Sequence, residues 1–77
     1  MTAREWIDAF ATELGTDPPT DAEIEQILDL AGVAAHSSER IAAPVACWIG
    51  GLSGASIAQL RAAADSVATE STPSDAA

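Results

Sequence analysis

Apolar and polar residues follow helical spacing from the first residues of this chain. Thr2 and Glu5 have the three-residue spacing of a capping box, which satisfies the free amides at the start of a helix. Gly15 predicts the end of this first helix. The apolar residues between these signals fall on one side of a helical wheel and form a stripe. They are Ala3, Trp6, Ile7, Phe10 and Leu14.

A second capping box, Thr20 with Glu23, follows the rigid connector of residues 17–19 and predicts the start of a second helix. One face of this helix is apolar: Ile24, Ile27, Leu28, Ala31, Ala34 and Ala35. The other side carries a polar stripe, which includes Arg40 if the helix extends that far. Its members are Glu25, Asp29, Gly32, His36 and Arg40.

Pro44 predicts the next helix boundary. Deep inside a helix a proline costs about 3 kcal/mol, whereas at the first helical position it costs little. We therefore expect a break at residues 40–43, and then a short third helix that ends at Gly50 and Gly51. Trp48 is expected to anchor this helix, in phase with Ile41, Val45 and Ile49, with Cys47 on the opposite side.

Ser53 or Ser56 is expected to cap a fourth helix, and Ser56 forms a capping box with Gln59. The apolar stripe of this helix consists of Ile57, Leu60, Ala64, Val67 and Ala68. Residues 69–77 have no apolar periodicity and are predicted to be a disordered tail. The sequence thus predicts one all-α, compact four-helix domain over residues 1–68, with three longer helices and one short helix after the proline break.

Composition indicates a small and marginally stable core. Of the 77 residues 48% are hydrophobic but only 4% are aromatic, and alanine supplies much of the apolar share. A chain of this length buries only about 60% of its unfolded surface. Association with a partner, including a homodimer, is therefore compatible with the sequence.

The net charge narrows the classes of partner. Twelve acidic residues against three arginines give a charge of −9, which repels phosphate backbones and anionic lipids. We therefore expect no nucleic-acid or membrane role, and a protein partner with a basic surface. The absence of an N-terminal signal region and of an apolar run of about 20 residues favours a cytoplasmic location.

His36 and Cys47 are the one histidine and the one cysteine, too few ligands for a structural zinc site. A structural role for His36 at the end of the second helix is favoured over a binding contact or catalysis, because an imidazolium complements the helix dipole there. No third group is evident to orient a Cys47 and His36 pair. The sequence therefore predicts no enzyme, no cofactor and no metal site.

Two binding hypotheses remain. The first is a protein contact face formed by the polar stripe members Asp29, Gly32, His36 and Arg40. The alternative is a small-ligand site, in which Arg40 and the amides at the start of the third helix hold an anionic group. Against it, Ser38 or Glu39 could fold back and cap the same amides. Gly32 indicates either close approach of another helix or chain, or tolerance on an exposed face.

The segments WIDAFATELG and LDLAGVAAHSSERIAAPVACWIGG resemble a small bacterial helical domain of unknown function. That domain occurs alone or attached to the molybdenum-cofactor guanylyltransferase, which makes molybdopterin-guanine dinucleotide. The resemblance covers residues 6–67, is most specific from Leu28 to Pro44, and departs from the pattern at Gly32 and Ile41. It implies an accessory module near molybdenum-cofactor assembly that docks the nucleotidyltransferase or a cofactor-dependent oxidoreductase. For the alternative hypothesis, it implies a pterin nucleotide as the ligand.

Overall fold

The computed structural model describes residues 1–70 of the chain. Within that range it contains four helices and no strand: α1 (Ala3–Leu14), α2 (Asp21–Ser37), α3 (Ala42–Ser53) and α4 (Ile57–Glu70). The predicted all-α, four-helix fold is confirmed. Residues 71–77, which hold most of the predicted tail, lie outside the described residues.

Capping boxes start three of the helices, as predicted. In each box the side chain at the third helical position accepts a hydrogen bond of 2.7 or 2.8 Å from the amide of the capping residue. The capping hydroxyl in turn accepts a bond of 3.1 Å from the amide at that third position. These reciprocal bonds satisfy donors that the helix itself leaves free. The boxes join Thr2 to Glu5, Thr20 to Glu23 and Ser56 to Gln59.

The box at the start of α1 also changes the acidity of Glu5. Hydrogen bonds from Thr2, first from its amide and then from its hydroxyl, lower the pKa of Glu5 below its ordinary value of 4.5. A lowered pKa in the folded state contributes stability above the ordinary pKa of the carboxyl. That contribution is lost as the pH falls through the folded-state pKa.

Left-handed glycines end α1 and α3. Gly15, at φ 73°, closes α1 as predicted. The predicted end of the third helix at Gly50 and Gly51 is wrong, because both glycines are helical and α3 ends only before Gly54, which is left-handed at φ 71°. α3 consequently has 12 residues, as many as α1, and is not a short helix.

The break between the second and third helices is confirmed. α2 ends at Ser37 and α3 begins at Ala42. Pro44 is the third residue of α3 rather than the first, but it still lies in the first turn, where a backbone amide has no partner within the helix. At the other end of the chain, α4 extends to Glu70, two residues beyond the predicted end of the domain at Ala68.

The core is thin and is organised around α2, which packs against both α3 and α4. In the described part of the chain, α1 has no comparable contact with another helix. The buried hydrophobic side chains there are Leu30, 5% exposed, and Ala11, 6% exposed. Residues 1–70 extend 49 Å along the longest axis, about twice the length of a 17-residue helix, so the helices do not all lie side by side.

The predicted apolar face of α2 needs one correction. Leu28 is 64% exposed, whereas Leu30, which the prediction left out, is the most buried hydrophobic residue described. Ile27, Leu30 and Ala34 follow the three- and four-residue spacing of one helical face. Contacts with two helices at once make the buried face of α2 wider than a single stripe, and Leu28 lies outside it.

α3 packs through its small residues, contrary to prediction. Its buried and half-buried positions include Ala43, Cys47 and Gly50, which allow close approach of the neighbouring helices. A Cβ added at Gly50 would lie 2.8 Å from Cδ1 of Leu60 in α4. Trp48, predicted as an anchor, is instead 68% exposed. α3 is apolar on every side, so its periodicity does not indicate which face is buried.

The apolar stripe of α1 also faces solvent. Trp6 is 56% exposed, and its ring stacks on that of Phe10 with the centroids 5.0 Å apart. Arg4 pairs within α1 with Asp8 (Nε to Oδ1, 3.2 Å). It also connects α1 to the next helix through an ion pair with Asp21 at the start of α2 (Nη1 to Oδ1, 3.3 Å). The large side chains of α1 therefore contribute little to the core of the folded chain.

Substitution of the two adjacent glycines of α3 is expected to separate helix propensity from packing. Gly51→Ala should raise the free energy of unfolding by about 0.5 to 1 kcal/mol, because alanine has the higher helix propensity and the added Cβ meets no atom within 4 Å beyond its chain neighbours and the backbone of α3. Gly50→Ala gains the same propensity but displaces Leu60, so it should be less stable than Gly51→Ala by about 1 kcal/mol or more. Urea unfolding followed by circular dichroism measures the difference. Equal stabilities would contradict this packing.

Loss of the Thr20 cap is expected to destabilise α2. Thr20→Ala removes the hydroxyl that accepts from the Glu23 amide and should cost about 1 kcal/mol of stability, measured by thermal unfolding. Thr16→Ala is the matched control. In the described chain the hydrogen bond of Thr16 is donated by its backbone amide to the carbonyl of Ala11, so this substitution leaves the bond in place. Equal melting temperatures for the two variants would show that the Thr20 cap contributes nothing.

Candidate functional site

An open groove of about 790 Å³ lies between α2 and α4 and is called here the α2–α4 groove. Three of the six residues in its α2 wall belong to the predicted polar stripe, while α4 supplies a cation, a carboxylate and a small apolar residue. The groove thus combines charged edges with apolar surface. The residues that line it are Leu28, Asp29, Gly32, Val33, His36, Ser37, Arg61, Asp65 and Ala68.

Three of the four predicted contact residues come together in this groove: Asp29, Gly32 and His36. Arg40 does not line it, so its inclusion in the same face is not supported by the structure. The reason is that α2 ends at Ser37 and leaves Arg40 in the turn before α3.

Two serines close the end of α2. The hydroxyl of Ser37 donates to the carbonyl of Val33 at 2.7 Å, and that of Ser38 donates to the carbonyl of Ala34 at 2.8 Å. His36 is exposed in the same turn, where a positive charge complements the carbonyl end of the helix, but its imidazole makes no hydrogen bond to any described residue. The imidazole therefore faces the groove with its nitrogens unused by the described chain.

Arg61 and Asp65 are the charged groove residues that the sequence did not place in the contact face; Arg61, at the border of the apolar stripe of the fourth helix, was expected to extend to solvent rather than to bind. Its Nε lies 3.2 Å from Oδ1 of Asp65, and its Nη1 lies 3.8 Å from Oδ2 of Asp29. The guanidinium is therefore held between a carboxylate of its own helix and one of α2. All three side chains are solvent-exposed, so the pairs fix orientation more than they add stability.

Gly32 opens the wall of the groove. A Cβ built at this position has no heavy atom within 4 Å apart from its chain neighbours and the backbone of α2, so no other helix of the described chain approaches it closely. Packing within the chain therefore does not require a glycine here, although a mid-helix glycine costs about 1 kcal/mol against alanine. The missing side chain leaves backbone accessible between Asp29 and His36.

Cys47 and His36 lie in different places. Cys47 is half-buried and lines a second cavity of about 280 Å³ where α2, α3 and α4 meet, beside Ile27, Leu30 and Leu60. His36 lines the α2–α4 groove and not this cavity. A thiol activated by an imidazole needs the two groups within hydrogen-bond reach, and this arrangement does not pair them.

Residues 1–70 offer neither a metal-binding cluster nor a membrane-spanning helix. That range contains no group of three or more His, Cys, Asp or Glu side chains placed to hold a metal ion. None of its helices is both long and apolar enough to cross a bilayer.

The start of α3 has its amides occupied. The amide of Ala42 donates to the carbonyl of Glu39 at 3.0 Å, and that of Ala43 donates to the carbonyl of Arg40 at 3.2 Å. Pro44 has no amide to offer. Arg40 itself is exposed and forms no ion pair with the described residues. The proposed anion site therefore has an unpaired cation, Arg40, but no free amide at residues 42–44.

A family model described as "Domain of unknown function (DUF6457)" matches residues 1–76. The chain belongs to the DUF6457 family. No curated protein and no solved structure matches it. Because the DUF6457 match spans all four helices, the α2–α4 groove and the exposed residues of α3 both lie within the family domain. The family description assigns no function, and the function of this DUF6457 chain is indicated by its surfaces.

Phosphate is expected not to bind at the start of α3, because the amides of Ala42 and Ala43 already have partners. A titration with phosphate, followed by NMR of the backbone amides of residues 41–46, should show no saturating shift. The Arg40→Ala variant is the control for nonspecific ionic effects. A saturating shift in the natural chain that disappears in this variant would establish the anion site instead.

Proposed function

We propose that this DUF6457 domain is a non-enzymatic interaction module, which binds a basic segment of a protein partner in the α2–α4 groove. One observation carries the proposal: an exposed groove that has a carboxylate on each wall and apolar residues in its lining. Such a groove offers a polypeptide both charge pairing and hydrophobic contact.

Asp29 and Asp65 supply the charge recognition. The position of Arg61 shows that a guanidinium fits between these two carboxylates. An ionised carboxylate has about four acceptor sites, so each aspartate has capacity left for a lysine or arginine of the partner. Both aspartate side chains are well exposed, which leaves room for that approach.

The charge of the whole chain favours the same partner. At −9 it attracts a basic protein over long range and speeds association, and salt screens this attraction. Glu25 and Glu39 form no ion pair with the described residues and extend the acidic field around α2. We therefore expect partner affinity to fall as ionic strength rises.

The separate positions of Cys47 and His36 also support a binding role rather than a catalytic one. Cys47 lies in a cavity formed mainly by apolar residues, separate from the groove that His36 lines. General acid–base or nucleophilic catalysis needs such groups in mutual contact. The groove side chains are instead suited to recognition.

We extend the proposal to molybdenum-cofactor assembly, with the cofactor guanylyltransferase or a cofactor-dependent oxidoreductase as the partner. This extension is supported by the resemblance of the segment Leu28 to Pro44 to domains found attached to that guanylyltransferase. The same segment contributes the α2 wall of the groove, including Asp29, Gly32 and His36. A partner of this kind would place the domain in the cytoplasm.

Gly32 variants test the groove without damaging the fold. Gly32→Leu projects a side chain into open space, so it should retain helicity while weakening binding of purified molybdenum-cofactor guanylyltransferase at least tenfold in calorimetric titrations. Gly32→Ala is the matched control, because it makes nearly the same gain in helix propensity with a single methyl group.

Two results would reject parts of the proposal. If Gly32→Leu binds the enzyme as well as the natural chain does, the α2–α4 groove is not the docking site. If the natural chain does not bind the enzyme at low ionic strength, the assignment to molybdenum-cofactor assembly fails for this partner.

A further inference from the structure

A second surface, which is apolar whereas the groove is charged, lies along α3. Its large apolar side chains project away from the small residues through which α3 packs, and each is between 54% and 74% exposed. Their spacing of four, three and four residues, with one further member, keeps them on one side of the helix. This set, called here the α3 outer face, consists of Ile41, which directly precedes the helix as its N-cap residue, and Val45, Trp48, Ile49 and Leu52 of α3 itself.

The α3 outer face is large enough for a specific interface. A fully exposed tryptophan presents an area on the order of 200 Å², of which Trp48 leaves about two thirds open. With the four aliphatic side chains, the face presents on the order of 600 Å², against about 600 to 1,000 Å² per partner in specific complexes. Contiguous apolar patches of this size mark interaction surfaces on soluble proteins.

Charge indicates what covers the α3 outer face. Residues 41–53 contain no charged side chain, although the whole chain carries −9. A basic partner would find no carboxylate there to pair with its lysines or arginines. Two copies of this chain repel one another through most of their surface, but on this face they meet without burying a charge.

We propose that the α3 outer face binds a second copy of this chain, with the two α3 helices packed across a twofold axis and Trp48 near its centre. A twofold contact uses the same patch on both subunits, which suits a face made of one uniform helix side. The dimer does not involve the α2–α4 groove, so each copy keeps its groove open for the proposed partner.

Analytical ultracentrifugation of the full chain tests the dimer. The natural chain should sediment as a concentration-dependent dimer, and Trp48→Gln should raise the dissociation constant at least about 30-fold, the usual effect of losing a central aromatic anchor. Trp48 is already exposed in the single chain, so this variant should keep its helicity. Trp6→Gln on α1 is the matched control, because Trp6 is exposed to a similar extent, and it should leave the dissociation constant unchanged.

Fluorescence and salt provide independent readouts. In a Trp6→Phe background Trp48 is the one remaining tryptophan, and its emission should move to shorter wavelength as the protein concentration rises. Added salt should strengthen the dimer by screening repulsion between acidic surfaces, whereas it should weaken the binding of a basic partner in the groove. The opposite salt dependence keeps failure of one proposal distinguishable from failure of the other.

Three outcomes would overturn the dimer proposal. A chain that remains monomeric up to roughly millimolar concentration at high salt, far above the range of specific complexes, has no self-association through this face. A dimer that Trp48→Gln leaves intact, but Trp6→Gln dissociates, is formed by α1 instead. Binding of the guanylyltransferase that Trp48→Gln abolishes, with no dimer detected, would assign the α3 outer face to that partner.

Discussion

The close approach of small residues on α3 to its neighbouring helices is the contact on which the arrangement of this domain depends. Cys47 and Gly50 have little volume, so α3 can lie close to α2, and Leu60 of α4 occupies the space beside Gly50. This packing leaves the large side chains of α3 on the outside. The molecule therefore has two surfaces of different chemistry: an uncharged face on α3, and a charged groove between α2 and α4.

The local parts of the fold were predictable because their determinants are a few residues apart. The boxes begun by Thr2, Thr20 and Ser56 each need only a hydroxyl and a side chain three positions later, and the structure confirms all three. The buried side of α3 was not predictable in this way. The sequence of α3 is apolar on every side of the helix. Whether the face with Trp48 or the face with Gly50 is buried therefore depends on contacts with α2 and Leu60, and periodicity within α3 carries no information about those contacts.

In the candidate groove, too, helical spacing predicts the contacts within one helix but not those between helices. Asp29, Gly32 and His36 share a helix face, as their spacing predicts, and all three line the groove. Arg40 was grouped with them on the assumption that α2 continues to residue 40. α2 ends at Ser37 instead, and there the hydroxyl groups of Ser37 and Ser38 donate to carbonyls of the last turns of the helix. The pairing of Arg61 with Asp65 follows the four-residue helical rule and could have been expected. Its second contact, with Asp29, depends on how α2 and α4 pack.

The sparse contact between α1 and the rest of the chain has a consequence for cooperativity. A free helix of 12 residues is marginal in water, and α1 is supported mainly by its own caps and by one ion pair to the start of α2. Its amide protons should therefore exchange with solvent through local opening, well before those of α2. We therefore expect the domain to behave as two cooperative units, in which α1 melts and reforms while the other three helices stay folded.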